Sequence, residues 1–133
     1  MQIVANNKKA FFEYFILEKI EAGIQLTGDE VKSLRVGKAS IKEAYAEAKK
    51  GQLFLVNSDI SNYEKASSYS KLNSKRVRKL LVHKKEISKL QGKIEKEGMT
   101  IVPLKLYFNN KGIAKVEIAI AKGKKLYDKR EVK

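Results

Sequence analysis

The side chains best placed to do chemistry are cations. Asn7, Lys8 and Lys9 stand together near the start of the chain. Lys71, Lys75, Arg76, Arg78, Lys79, Lys84, Lys85, Lys89 and Lys93 dominate the middle, opposed by Glu86 alone. Lys122, Lys124, Lys125, Lys129, Arg130 and Lys133 crowd the last stretch, opposed only by Asp128 and Glu131. Ammonium and guanidinium groups contact phosphate oxygens and release condensed counterions as they do so. A formal net charge of +14 on 133 residues suits a polyanionic partner, nucleic acid first and an anionic membrane surface second. The charge is gathered rather than scattered. Strand-like runs are nearly free of lysine, while arms, loops and one helix collect it, as expected of a cationic face offered to phosphates.

Bond-making chemistry has little to work with. His83 is the single histidine and follows an apolar run at the start of a helix, a structural or surface position. The chain has no cysteine, which excludes disulfides, thiolate metal sites and cysteine catalysis and is compatible with a reducing cytosol. No Asp/Glu cluster has metal-ligand spacing. Gly37 and Gly51 are isolated and read as a cap and a turn rather than a phosphate loop. Glu21 and Glu30 can be imagined as a carboxylate pair, but Glu30 has a capping role and Glu21 lies on a strand face, so acid/base work is not expected. The expectation is a binding protein without enzymatic activity, cofactor, metal or small-molecule substrate. There is no apolar signal core at the N-terminus and no run long enough to cross a bilayer. The basic helix carries only a thin apolar stripe, which disfavours a membrane role.

The elements that must position these cations form one domain. Residues 1–10 read as a polar arm. Phe11 to Leu17, and then Ile20, Ala22, Ile24 and Leu26, alternate with period two and predict strand, with Gly23 as a bulge or bend. Thr27-Gly28-Asp29-Glu30 has capping-box spacing and predicts a short helix that stops at Gly37. Ala44 to Lys49 and Gln52 to Asn57 flank Lys50-Gly51 as a hairpin, the second strand buried on both faces. Ser58 to Asn73 reads as a loop with room for one short strand. Leu80, Leu81 and Val82 form a short core element, and Ile87, Leu90 and Ile94 predict a helix over Lys84 to Glu97, capped by Gly98. Thr100 to Phe108 and Ile113 to Ala121 are a strand pair joined through Asn109 to Gly112, with Pro103 at a strand start, an edge or a bulge. The fold class is all-β dominated: an antiparallel, OB-fold-like barrel with about three helices, closure removing aggregation-prone edges. Residues 1–122 make the barrel. Residues 123–133 make a basic tail too poor in apolar groups to offset its ordering entropy, hence disordered when free.

Several local motifs, taken together and in order, add a resemblance. These are Asn7-Lys8-Lys9, Glu13-Tyr14-Phe15-Ile16, Glu21-Ala22-Gly23-Ile24, the run Glu30 to Ala39, Arg78-Lys79-Leu80-Leu81-Val82-His83-Lys84, Val102-Pro103-Leu104-Lys105-Leu106-Tyr107 and the run Ala121 to Arg130. Over roughly Asn7 to Arg130 the chain resembles the small protein B family, the tmRNA-binding (SsrA-binding) proteins of bacterial trans-translation. The resemblance implies an OB-like barrel with three helices. It also implies a cytoplasmic RNA-binding adaptor, monomeric when free, that binds the tRNA-like domain of tmRNA and enters ribosomes stalled without a stop codon. The nascent chain passes to alanyl-tmRNA, and the protein itself makes and breaks no covalent bond.

For residues, the resemblance implies that Asn7 and Glu21 matter for RNA binding. An acceptor-only carboxylate at Glu21 can bond a base edge or orient neighbouring cations, and a structural ion pair is the alternative. Lys8, Lys9, Tyr14, Arg35, Lys38, Arg76 and Arg78 join them as RNA-facing candidates. Lys122, Lys124, Lys125, Tyr127, Asp128, Lys129 and Arg130 are expected to contact the decoding centre of the small ribosomal subunit. Two departures stand out. Phe11-Phe12 replaces the family's usual Arg-His, so a polar contact is lost or replaced by stacking. The family also continues past Asp-Lys-Arg, so the tail is expected to be short or trimmed here. A generic RNA- or ribosome-binding module without rescue activity is the alternative reading.

Overall fold

The computed structural model describes residues 1–61 and 74–124. In chain order these form β1 (Gln2–Asn6), α1 (Lys8–Glu13), β2 (Tyr14–Ile24), α2 (Gly28–Arg35), β3 (Ala39–Ser40), β4 (Tyr45–Lys49), β5 (Gln52–Val56), β6 (Asp59–Ile60), β7 (Arg78–Leu81), α3 (Lys84–Glu97), β8 (Thr100–Phe108) and β9 (Ala114–Gly123). Sheet dominates. Seven strands lie in the order β1-β8-β4-β5-β7-β2-β9, with antiparallel pairings, and β8 also pairs with β9. The remaining strands, β3 and β6, form a two-stranded sheet of their own.

Most boundaries follow from local chemistry. Thr27 and Glu30 close a reciprocal capping box at the head of α2. Gly37, at φ +75°, lets its N–H reach the Leu34 carbonyl at 3.0 Å and ends that helix. Lys50 and Gly51 both have positive φ, the geometry that matches a two-residue hairpin turn to the strand twist. Helix α3 spans the expected residues and stops at the left-handed Gly98. Pro103 sits at a register shift between itself and Lys105, so its missing N–H falls at a bulge.

The N-terminal quarter differs from expectation. The supposed arm contains a strand, β1, paired with β8. Phe11 to Glu13 belong to α1 rather than to a strand, because the Asn7 side chain caps a helix there, accepting from the Ala10 N–H at 3.2 Å. Chain extension begins only at Tyr14. The bulge expected at Gly23 lies instead between Ile16 and Glu18. Gly23 is where β2 pairs with both β9 and β7, and a Cβ there would meet the Leu81 Cβ at 3.2 Å. The glycine thus serves close strand approach. In β5 only Leu53 and Leu55 are fully buried, while Phe54 and Val56 are half-covered.

Two apolar clusters result. The larger holds Ile20, Ala22, Ile24, Leu53, Leu55, Leu80, Ile101, Leu106, Val116 and Ile118, covered by Ile87 and Leu90 of α3. The smaller lies on the other face of β2, β9 and β8: Ala10, Val102, Leu104, Ala119 and Ala121, with Tyr14 and Ile16 against it. The β8 bulge resets the alternation. Beyond it Leu106 and Phe108 point into the large core, and Lys105 and Tyr107 take the outer face.

Candidate nucleic-acid interface

That outer face carries a row of polar groups on four paired strands. Glu21 on β2 stands opposite Glu117 on β9, Glu117 opposite Lys105 on β8, and Lys105 opposite Asn6 on β1. One step along, Gly23, Lys115, Tyr107 and Ile3 are aligned in the same way. Tyr107 is only 6% exposed, and its hydroxyl donates to Oε2 of the exposed Glu21. Burial, the Glu21 hydrogen bond and the Glu117 charge push the Tyr107 phenol well above its usual value, so it remains a donor at any physiological pH. Like charges directly opposite each other across strands are unfavourable. Glu117 Oε1 is enclosed and accepts no hydrogen bond from the described residues. A partner bringing N–H groups to the exposed Glu21 carboxylate relieves the like-charge pairing. The arrangement suits a base edge: a fixed, exposed acceptor with Lys105 and Lys115 on the neighbouring strands for phosphates.

The remaining candidates divide by burial. Lys8 and Lys9 are exposed on α1. Lys9 reaches Glu43 at 2.7 Å and Glu13 at 4.0 Å; the Glu43 hydrogen bond, then the Glu13 charge, push its ammonium up, and the same bond holds the Glu43 carboxyl down. Arg35, the last residue of α2, and Lys38 beyond it are exposed. Tyr14 is half-buried against the smaller cluster. Asn7 is 3% exposed, and its polar atoms turn inward. Its amide nitrogen donates to the carbonyls of Pro103 at 2.9 Å and Ile41 at 3.4 Å while its oxygen caps α1.

Arg78 corrects the expectation of a surface cation. Its side chain is fully enclosed, donating to Glu30 Oε2 from Nε at 2.9 Å and from Nη2 at 2.7 Å. It also donates to the Ser58 carbonyl and hydroxyl and to the carbonyls of Arg76 and Ser74. On strand β7, Arg78 and Leu80 are both inward, two residues apart; period two was the signal for its burial. Leu81, expected in the core, is correspondingly outward at 46% exposure. Arg76 remains partly exposed and pairs with Glu30 Oε1 at 2.7 Å. Burial pushes the Glu30 carboxyl up, but the Arg76, Thr27 and Arg78 hydrogen bonds outweigh it and hold the group below its usual value. Burial lowers the Arg78 guanidinium, opposed by Glu30.

Lys122 is exposed near the end of β9, and Lys124 follows it, half-buried. Lys125, Tyr127, Asp128, Lys129 and Arg130 lie outside the described residues, as does most of the Ser58 to Asn73 stretch. His83 is the exposed N-cap residue of α3, and its side chain makes no capping hydrogen bond. Among the described residues no group of three or more His, Cys, Asp or Glu is arranged to hold a metal, and no helix is long and apolar enough to cross a membrane. Tyr107 is the functional candidate that sequence reasoning missed. It is 86 residues from Glu21, and only the strand register brings them together.

A basic, sheet-dominated domain with an anchored acceptor on its outer face has the make-up of a nucleic-acid-binding protein. The family model described as SmpB protein matches residues 4–133, and the chain belongs to that family. It is 55% identical over 131 residues to the SsrA-binding protein of Nitrobacter winogradskyi, covering 98% of this chain and 83% of that one. It is 58% identical over 130 residues to the SsrA-binding protein of Wolbachia pipientis subsp. Culex pipiens, covering 98% and 87%. A solved structure described as "tmRNA-SmpB: a journey to the center of the bacterial ribosome" superposes with a TM-score of 0.73 at 50% identity, covering 90% of this chain and 82% of that one.

Proposed function

We propose that this chain is an RNA-binding adaptor of ribosome rescue. It binds the tRNA-like domain of tmRNA and carries it to ribosomes stalled without a stop codon, where the nascent peptide is tagged. The observation that carries this reading is likeness to SsrA-binding proteins along 98% of the chain. The partners are therefore tmRNA and the ribosome, and the place of action is the cytoplasm. The protein works by shape and charge and makes or breaks no covalent bond.

The ring of pairings β8-β4-β5-β7-β2-β9, returning to β8, supports an OB-like barrel as the RNA-binding body over residues 1–122. Glu21, held by Tyr107, accepts from a base edge, while Lys8, Lys9, Tyr14, Arg35, Lys38 and Arg76 contact the folded RNA elbow around it. Asn7 acts one step back, fixing α1 and so the direction of Lys8 and Lys9. Residues 123–133 form the ribosome-directed tail, in which Lys124, Lys125, Tyr127, Asp128, Lys129 and Arg130 meet ribosomal RNA.

The division of labour is tested by a peptide-tagging assay on ribosomes stalled without a stop codon. Replacing Asp128, Lys129 and Arg130 together by Ala is expected to abolish tagging while leaving affinity for the tRNA-like domain intact. Loss of that affinity instead assigns the tail to the tmRNA face. Tagging that proceeds equally without the protein overturns the adaptor function.

A further inference from the structure

Four exposed large apolar side chains fall within seven consecutive positions: Phe11 (47% exposed), Phe12 (80%), Phe15 (51%) and Leu17 (55%). Phe11 and Phe12 lie on the last turn of α1, and Phe15 and Leu17 on the start of β2. Cations edge them. Lys19 Nζ lies 5.8 Å from the centre of the Phe11 ring, and Lys124 Nζ lies 5.0 Å from that of Phe15. Lys122 is the cross-strand partner of Phe15. Lys124 is tied to the same corner, its backbone N–H donating to the Glu13 carbonyl at 2.8 Å and its ammonium to the Phe11 carbonyl at 3.3 Å.

The rings are presented rigidly. Asn7 caps α1 and Ala10 packs α1 on the smaller cluster, while β2 is paired along its length with β9. Phenylalanine has no hydroxyl, so these rings offer only flat apolar faces. The charge around them is one-sided. Among the described residues no carboxylate is within ion-pair distance of Lys19, Lys122 or Lys124, and the neighbouring Glu13 and Glu18 face Lys9 and Lys89. Ammoniums without a carboxylate partner beside exposed aromatic faces are the composition of a surface that stacks unpaired bases and tracks their phosphates.

We infer that Phe12, with Phe11 and Phe15, is a stacking platform for unpaired RNA bases, distinct from the Glu21 acceptor site, with Lys19, Lys122 and Lys124 taking the flanking phosphates. The inference rests on the RNA-binding reading above and adds to it a second contact of different chemistry. Lys124 belongs to the platform and begins the tail, so the bases it stacks are those of the RNA the tail meets.

The chain contains no tryptophan, so Phe12→Trp installs a single fluorescent reporter at a position that is 80% exposed and costs little to change. Titration with a single-stranded RNA octamer is expected to quench that fluorescence, and inorganic polyphosphate at matched charge is not. Phe12→Ala, with its melting temperature unchanged, is expected to weaken octamer binding by roughly 5-fold or more. Phe12→Ala should also weaken binding to small ribosomal subunits while leaving affinity for the isolated tRNA-like domain within about 2-fold. Equal quenching by polyphosphate, or unchanged octamer affinity in Phe12→Ala, overturns the platform. A blue shift of the Trp emission on anionic lipid vesicles with none on RNA replaces the base by a membrane and also overturns it. Loss of affinity for the tRNA-like domain in Phe12→Ala moves the platform to the tmRNA face and overturns its link to the tail. The adaptor reading fails separately, if the unaltered chain does not distinguish the tRNA-like domain from other RNA.

Discussion

Glu30 and Glu21 are two glutamates nine residues apart, and the chain uses them in opposite ways. Glu30 is turned in and satisfied: its carboxylate takes the Thr27 N–H, Arg76 and Arg78, and so ties α2 to the segment leading into β7. Glu21 is turned out and held by one buried hydroxyl, with a like charge opposite. The first side chain is saturated and serves the fold. The second is positioned but unsaturated, the state in which a group can recognise a partner. What separates them is the number of donors within reach, not residue type.

Breaking the inner network should give the largest effect. Arg78→Ala leaves Glu30 without its enclosed partner, and losing one member of a buried pair costs about 3–5 kcal/mol. The expected result is a large drop in the urea midpoint of the folded chain. A drop no larger than that of a surface Lys→Ala control contradicts the assignment.

Acid sharpens the same point. The folded Glu30 carboxyl lies below its unfolded value, so its contribution is complete above the ordinary carboxylate range and is lost as pH falls through the folded value. Glu30→Gln is therefore less stable than the parent at neutral pH, and the two should converge as the solution is acidified. A constant difference in urea midpoint between pH 7 and strongly acid solution excludes this linkage.

The smallest effect tests the outer site. Tyr107→Phe removes one hydroxyl and frees Glu21 to swing away from Glu117. Affinity for the tRNA-like domain should fall roughly 10-fold, as for one hydrogen bond to a charged group worth about 1.5 kcal/mol. The double variant with Glu21→Ala should be no worse than Glu21→Ala alone. Additive losses mean that Tyr107 acts independently of Glu21.

The contrast between these sites also marks what the sequence made legible. Local signals were sufficient where neighbours in sequence decide the outcome: the Thr27–Glu30 box, the Lys50-Gly51 turn, the bounds of α3 and the irregularity at Pro103. They failed where partners are distant. The Phe11-to-Leu17 run alternates like a strand, yet its first residues finish a six-residue helix fixed by Asn7, whose side chain bonds the Ile41 and Pro103 carbonyls. Arg78 looked like its cationic neighbours, and only the inward side of β7 separates it from Lys79. The Glu21 site was half legible. The carboxylate was identified through the family resemblance, but Tyr107 and Glu117 join it through strand register across three strands.

The most direct test is the affinity of the full chain for the tRNA-like domain of tmRNA, measured against an ordinary tRNA across a salt series, with Glu21→Ala in parallel. The prediction is tighter binding to the tRNA-like domain. Glu21→Ala should lose that preference by roughly 10-fold or more, keep its melting temperature, and leave the salt slope unchanged, because no phosphate contact is removed. Equal affinity and equal slope for both RNAs, or a Glu21→Ala chain with unaltered preference, contradicts the claim that this exposed carboxylate carries recognition.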